Sequence, residues 1–133
     1  MTDARTVGLV ALGGALGTLA RYGAVELAPI APGTFPTTTL LINVLGSLAL
    51  GLLLGMIERT RPRDVTLRPL LGIGVLGGFT TFSTFSVETV QLVRAHHTLV
   101  ALAYVAASLA LGLGAAILGA RLTGSPLPTE GES

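Results

Sequence analysis

Between Gly77 and Ser86 the chain runs G-G-F-T-T-F-S-T-F-S, crowding hydroxyl and phenyl side chains into a stretch otherwise hydrophobic enough to lie in a membrane. Thr81 and Thr84, Phe82 and Phe85, and Ser83 and Ser86 each pair at i, i+3, so in a helix each type makes its own stripe. Hydroxyl groups donate hydrogen bonds, and a phenyl ring presents a positive edge because its quadrupole is negative only on the faces. Asn43 and Tyr104, on other apolar stretches, add amide and phenolic donors. Such a set suits a small, hard anion. No stacked carboxylates or imidazoles supply a cation path, and the adjacent His96 and His97 have a poor metal spacing and fit a solvated loop. The chain has neither H-E-x-x-H, G-x-x-x-x-G-K-[ST] nor G-x-S-x-G, so an enzyme reading has nothing to stand on. Zero cysteines exclude disulfides, thiolate metal sites and a cysteine nucleophile.

Ahead of the hydroxyl run, Gly72, Gly74, Gly77 and Gly78 each lower helix propensity by roughly 1 kcal/mol relative to Ala. This predicts a break near Gly77 to Thr81, met by something polar. Ionisable groups within spans cost at least about 2.5 kcal/mol and face a partner or a cavity. Glu26 lies near a span end, as an interfacial charge does. Arg21 sits deeper and either snorkels or lines a vestibule that attracts an anion. Glu88, two residues past the hydroxyl run, either pairs with another polar group or lines an aqueous path.

The elements that must position these residues are set by composition. Half of the 133 residues are hydrophobic and 11% are charged, and the mean hydropathy is +0.77, against about a quarter charged residues in a soluble domain. This composition marks an all-α integral membrane protein. Apolar windows fall at about 7–28, 37–57, 70–92 and 98–120, each near the roughly 20 residues a spanning helix needs. Residues 1–122 are expected to form one four-helix membrane domain, and the polar stretch 123–133 to be disordered. Residues 1–20 resemble a signal peptide, but the apolar pattern resumes after Arg21 and three spans follow, so an uncleaved first helix is simpler. A net charge of +1 offers no nucleic-acid surface, and Arg59, Arg61, Arg63 and Arg68 read as a membrane-flanking loop. Three small-residue faces repeat at i, i+4: Gly13 and Gly17 ending at Arg21; Asn43, Ser47, Gly51 and Gly55; and Ala106, Ala110 and Gly114. Close backbone approach through such faces associates helices in lipid.

The segment G-G-F-T-T-F-S-T-F-S-V-E, with T-x-x-x-N at Thr39 to Asn43, G-x-x-x-R at Gly17 to Arg21 and Y-x-x-x-S at Tyr104 to Ser108, resembles the bacterial CrcB family of fluoride channels, also called Fluc. The match touches all four spans. The resemblance implies an antiparallel, dual-topology dimer in the bacterial cytoplasmic membrane that lets fluoride leave passively down its electrochemical gradient. It implies that Phe82 and Phe85 present ring edges to fluoride and that Asn43 donates an amide hydrogen. Tyr104 and Ser108 extend the polar track, with Ser83, Thr84 and Thr39 as supporting donors. It further implies that backbone carbonyls of Gly77 and Thr80 from both subunits hold one structural sodium ion that is not transported. One turn beyond Ser108, where some relatives carry another hydroxyl, this chain has Gly112, so a shorter track is expected.

Arginine placement bears on pairing. With four spans, Arg5, Arg59, Arg61, Arg63, Arg68 and Arg121 share one side, and Arg94 and Arg21 fall on the other. That bias predicts a preferred orientation, and with it pairing with an oppositely biased relative as an alternative to a homodimer. The runner-up function is a small four-helix, dual-topology exporter of cationic compounds. Such a protein needs a carboxylate well inside the first span and aromatic residues around its substrate, whereas here the first span has only Glu26, there is no Trp, and aromatics are 5%.

Overall fold

The computed structural model describes residues 3–124, and every regular element within them is helical. The first helix, α1 (Ala4–Leu27), begins where the extended Asp3 accepts a hydrogen bond from the Thr6 N–H at 2.7 Å, an N-cap that satisfies one otherwise orphaned donor. A short connection leads to α2 (Thr37–Thr60), tied back by the Thr38 hydroxyl donating to the Ala28 carbonyl at 2.6 Å. The third span is composite. A π-helical segment (Arg68–Leu76) runs into a single turn, α3 (Gly77–Phe79), and after Thr80 and Thr81 the chain resumes as α4 (Phe82–Arg94). The last helix is α5 (Thr98–Leu122). Ala4–Leu27, Thr37–Thr60, Arg68–Arg94 and Thr98–Leu122 are each long and apolar enough to cross a membrane. Their bounds match the four sequence windows to within a few residues.

The break expected near Gly77 to Thr81 is present, but the glycines do not form it. Gly77 is helical (φ −64°, ψ −35°), and the extended residues are Thr80 (ψ 160°) and Thr81 (φ −148°, ψ 124°). The glycines instead serve the wide winding and the packing. The Gly77 N–H reaches back five residues to the Gly72 carbonyl, the signature of a π-turn. A Cβ on Gly74 would meet the Gly13 Cα at 2.9 Å, and one on Gly17 would overlap the Val75 carbonyl. The face Gly13, Gly17 therefore does what its spacing predicts, bringing α1 against the first half of the third span.

The second layer is α2 against α5, with α4 leaning on α5. Gly51 and Gly55 of the predicted α2 face are buried there, where a Cβ would overlap the Ala116 carbonyl or the Thr123 hydroxyl. On α5 the predicted face does not pack within the single chain. Ala106, Ala110 and Gly114 are exposed, and Gly112, Ala116, Gly119 and Ala120 are the residues turned to α2. Tyr104 decides the rotation: its large ring is fully buried with Phe35 and Phe85 around it, which carries the positions three or four residues along to the same side.

The two ends of the bundle differ. Arg5 donates to the Thr66 hydroxyl at 3.2 Å, Arg59 to the Thr123 carbonyl at 3.5 Å, and Arg68 lies 4.0 Å from Glu58, so the arginine-rich segments share one end. At the other, α4 closes with His96 in the left-handed region (φ 62°) and the His97 N–H bonded to the Leu92 carbonyl at 2.9 Å, a Schellman ending. Of the polar stretch 123–133, Thr123 and Gly124 form a turn sealing α5, with the Gly124 N–H on the Arg121 carbonyl at 3.0 Å. Residues 125–133 lie outside the described residues.

Candidate functional site

A helix that stops and restarts inside a membrane releases peptide groups that need partners. Asn43 on α2 supplies two of them at once: its Oδ1 accepts from the Thr81 N–H at 2.8 Å, and its Nδ2 donates to the Thr81 carbonyl at 3.0 Å. The side-chain amide thus pairs with extended backbone as a neighbouring strand would. The Gly78 carbonyl, left without a continuing helix, accepts from Arg21 Nε at 3.1 Å and from the Thr18 hydroxyl at 3.5 Å. Thr81 restarts the helix, its hydroxyl accepting from the Thr84 N–H at 3.1 Å.

Beside the break lies a cavity of about 330 Å³ between α2, the third span and α5. Asn43, Ser47, Gly77, Thr80, Thr81, Phe82, Phe85, Ser108 and Gly112 are on its wall. Amide, hydroxyl and phenyl groups from three spans converge there. Phe82 and Phe85 meet at 5.8 Å between centroids with their planes tilted by 40°; Phe82 is 79% exposed in the single chain, so it forms the rim. The Ser108 hydroxyl is buried and has no hydrogen-bond partner among the described residues, a costly state for a polar atom unless a ligand or water meets it.

Phe85 links this cavity to a second polar cluster. Its ring lies 5.2 Å from that of Tyr104, which in turn meets Phe35 edge-on at 5.6 Å. Tyr104 has no exposed surface, and its hydroxyl donates to Glu88 Oε2 at 2.7 Å; the nearly buried Thr39 donates to Oε1 at 2.8 Å. Both carboxylate oxygens are therefore held. On its far side Glu88 borders a cavity of about 440 Å³ lined also by Thr34 and Gln91, at the end of the bundle away from the arginine-rich loop. Polar groups thus follow one another from the break, past Ser108 and Phe85, to Tyr104, Thr39 and Glu88, and out to that cavity.

Most of the residues singled out by sequence are brought together along this line. Ser83 and Thr84 stand off the cavity wall, their hydroxyls 3.3 and 3.0 Å from that of Thr81 in the cap of α4. Arg21, expected to snorkel or to line a vestibule, donates one of its five N–H groups to the Gly78 carbonyl. Glu26 is exposed, as an interfacial charge should be. Sequence reasoning missed the backbone of Thr81 as the partner of Asn43, and it treated Ser47 as packing. The one available signal for Ser47 was its place one turn from Asn43 on the same face.

Comparison with known proteins places the chain in a family. The family model described as "CrcB-like protein, Camphor Resistance (CrcB)" matches residues 8–120. A protein of Symbiobacterium thermophilum named "Fluoride-specific ion channel FluC 2" is 50% identical over 115 residues, 85% of this chain and 93% of its own length. "Fluoride-specific ion channel FluC" of Deinococcus radiodurans is 52% identical over 120 residues, 85% of this chain and 94% of its own. "Fluoride-specific ion channel FluC 2" of Streptomyces avermitilis is 48% identical over 107 residues, 80% and 68% of the two chains. Matched across its spans by the family model and by relatives 48–52% identical to it, the chain belongs to the CrcB family.

Proposed function

We propose that the protein is a fluoride-specific channel that lets fluoride leave the cytoplasm passively, through the cell membrane, down its electrochemical gradient. The observation that carries this reading is the buried Ser108 hydroxyl, without a partner among the described residues, on a wall shared with Asn43, Phe82 and Phe85; relatives named as fluoride-specific channels support the choice of anion. Asn43 has two amide hydrogens and spends one on the Thr81 carbonyl, leaving the second for a passing ion. Fluoride is smaller than chloride and a stronger hydrogen-bond acceptor. A narrow path that replaces its water with hydroxyl, amide and ring-edge contacts admits it and leaves the larger ion incompletely solvated. Thr39, Tyr104 and Glu88 form the outer stage, where two donors hold the carboxylate and restrain its repulsion of the anion.

The exposed ring of Phe82 needs a covering surface, and a second copy inserted antiparallel would provide it. A homodimer is the assembly we favour, with a hetero-pair as its alternative given the arginine bias. Gly77 and Thr80 suit the structural sodium ion expected between two such copies. With the Thr81 N–H turned to Asn43, the Gly77 carbonyl loses its ordinary helical donor, and the Thr80 carbonyl sits on extended backbone. A bound cation would supply fixed positive charge beside the anion path.

Purified protein in liposomes loaded with fluoride tests the reading. Fluoride efflux well above that of protein-free vesicles, with chloride retained under the same gradient, is the expected result. Absence of efflux, or equal chloride flux, overturns it. Activity of the protein purified alone would in addition refute obligate pairing with a relative.

A further inference from the structure

Hydroxyls inside membrane helices usually donate back to a carbonyl in the preceding turn. Here Thr60, Thr80, Ser86 and Thr89 do so, at 2.7, 2.9, 2.9 and 2.8 Å from the carbonyls of Met56, Leu76, Phe82 and Phe85. Ser47 on α2 and Ser108 on α5 form no such bond among the described residues, and both line the 330 Å³ cavity. Facing Ser47 stands Gly112: a Cβ added there would lie 3.8 Å from the Ser47 hydroxyl oxygen and meet nothing else within 4 Å. The glycine therefore leaves open space on α5 beside the α2 hydroxyl, one turn from Ser108.

We propose that Ser47, reached through the notch left by Gly112, is an anion-coordinating residue, so that the hydroxyl track crosses from α5 to α2 at this level and does not end at Ser108. This deepens the channel reading and rests on it. The ligand class is a small, strongly hydrogen-bond-accepting anion, which Ser47 meets with its O–H while Asn43, one turn away on the same face, offers its free amide hydrogen. Gly112 then has a function beyond packing: a larger side chain there would occupy the space into which the Ser47 hydroxyl opens.

The test is fluoride efflux from liposomes containing the full chain, alongside chloride efflux and the thermal stability of each variant in detergent. Ser47→Ala should slow fluoride by roughly tenfold, the order expected from losing one hydrogen bond to a charged acceptor, with stability unchanged. Adding Gly112→Ser to Ser47→Ala restores a hydroxyl from the opposite helix and should recover most of the rate. Ser47→Thr and Ser47→Val are nearly isosteric, so only the first should conduct well, and this pair decides the matter should Ser47→Ala fail to assemble. A conducting wild type with an undiminished Ser47→Ala or Ser47→Val variant overturns this inference alone. A wild type that moves no fluoride overturns the channel reading and this with it.

Discussion

At the scale of single residues, the proposed channel gives Asn43 two tasks that one amide can perform together. Its oxygen and one of its hydrogens hold the Thr81 peptide groups, and the side chain also lines the cavity. Asn43→Ala should therefore lower both fluoride efflux and thermal stability in detergent, the latter by about 2–4 kcal/mol because two peptide groups lose their partners in a membrane interior. A loss of flux with stability intact would assign Asn43 to the anion path alone. Tyr104→Phe separates the outer stage from the break: it leaves Glu88 with only the Thr39 donor and should slow efflux several-fold, as loss of a charge-assisted bond implies, without disturbing α2. The sequence put Asn43 and Arg21 at the ends of small-residue faces and so pointed both at another helix or a water-filled vestibule rather than at lipid. It did not reveal what they meet, because a released carbonyl such as that of Gly78 carries no mark in the residue's identity.

At the scale of elements, the third span divides its labour differently from what propensity alone suggests. Low helix propensity at Gly72, Gly74, Gly77 and Gly78 is real, yet these residues wind as π- and α-helix. The chain breaks two residues later because Thr81 can cap α4 and Asn43 can receive its peptide. Glycine permits a break; the available partners decide its position. The same glycines allow backbone contact, which gives an internal control. Gly13→Ala drives a methyl into the Leu70 carbonyl and Gly74 backbone, whereas Gly8→Ala, with nothing within 4 Å, gains helix propensity. Thermal unfolding in detergent should show Gly13→Ala strongly destabilised and Gly8→Ala equal to wild type or more stable by roughly 0.5–1 kcal/mol. Equal behaviour of the two would contradict the packing of α1 on the third span.

At the scale of the whole molecule, the arginine-rich end is ordered by its own acids. The Asp64 carboxylate accepts from the Leu67 and Thr66 N–H groups at 2.6 and 2.8 Å, and these bonds hold its pKa below the ordinary carboxylate range. A group depressed in the folded state contributes stability above its unfolded pKa and loses it as pH falls through the folded value. Acid titration of stability should thus lose part of its slope below about pH 4 in Asp64→Asn, and an unaltered slope would remove Asp64 from the account. Orientation belongs to this scale too. Because the chain has no cysteine, a single cysteine placed beside Arg63 reports topology. If the arginine bias dominates, labelling in cells comes mostly from the cytoplasmic side, and if insertion is balanced it comes equally from both.

Composition and hydropathy alone determined that this chain is a four-span membrane protein, because about 20 apolar residues in a row have few other stable solutions. The phenyl and hydroxyl run, with Asn43 and the tyrosine and serine of the fourth span, was enough to point to an anion. What only tertiary structure decided were the partners. It set the break at Thr80 and Thr81 and turned α5 so that Gly112 and not Gly114 faces α2. It also joined Thr39, Tyr104 and Glu88 from three spans into one cluster and left Ser47 and Ser108 facing the same cavity. In lipid, side-chain hydrophobicity says which segments cross but is nearly indifferent to how they rotate. Rotation is settled by close backbone approach and by the need to satisfy each buried polar group, and both depend on residues far apart in the chain.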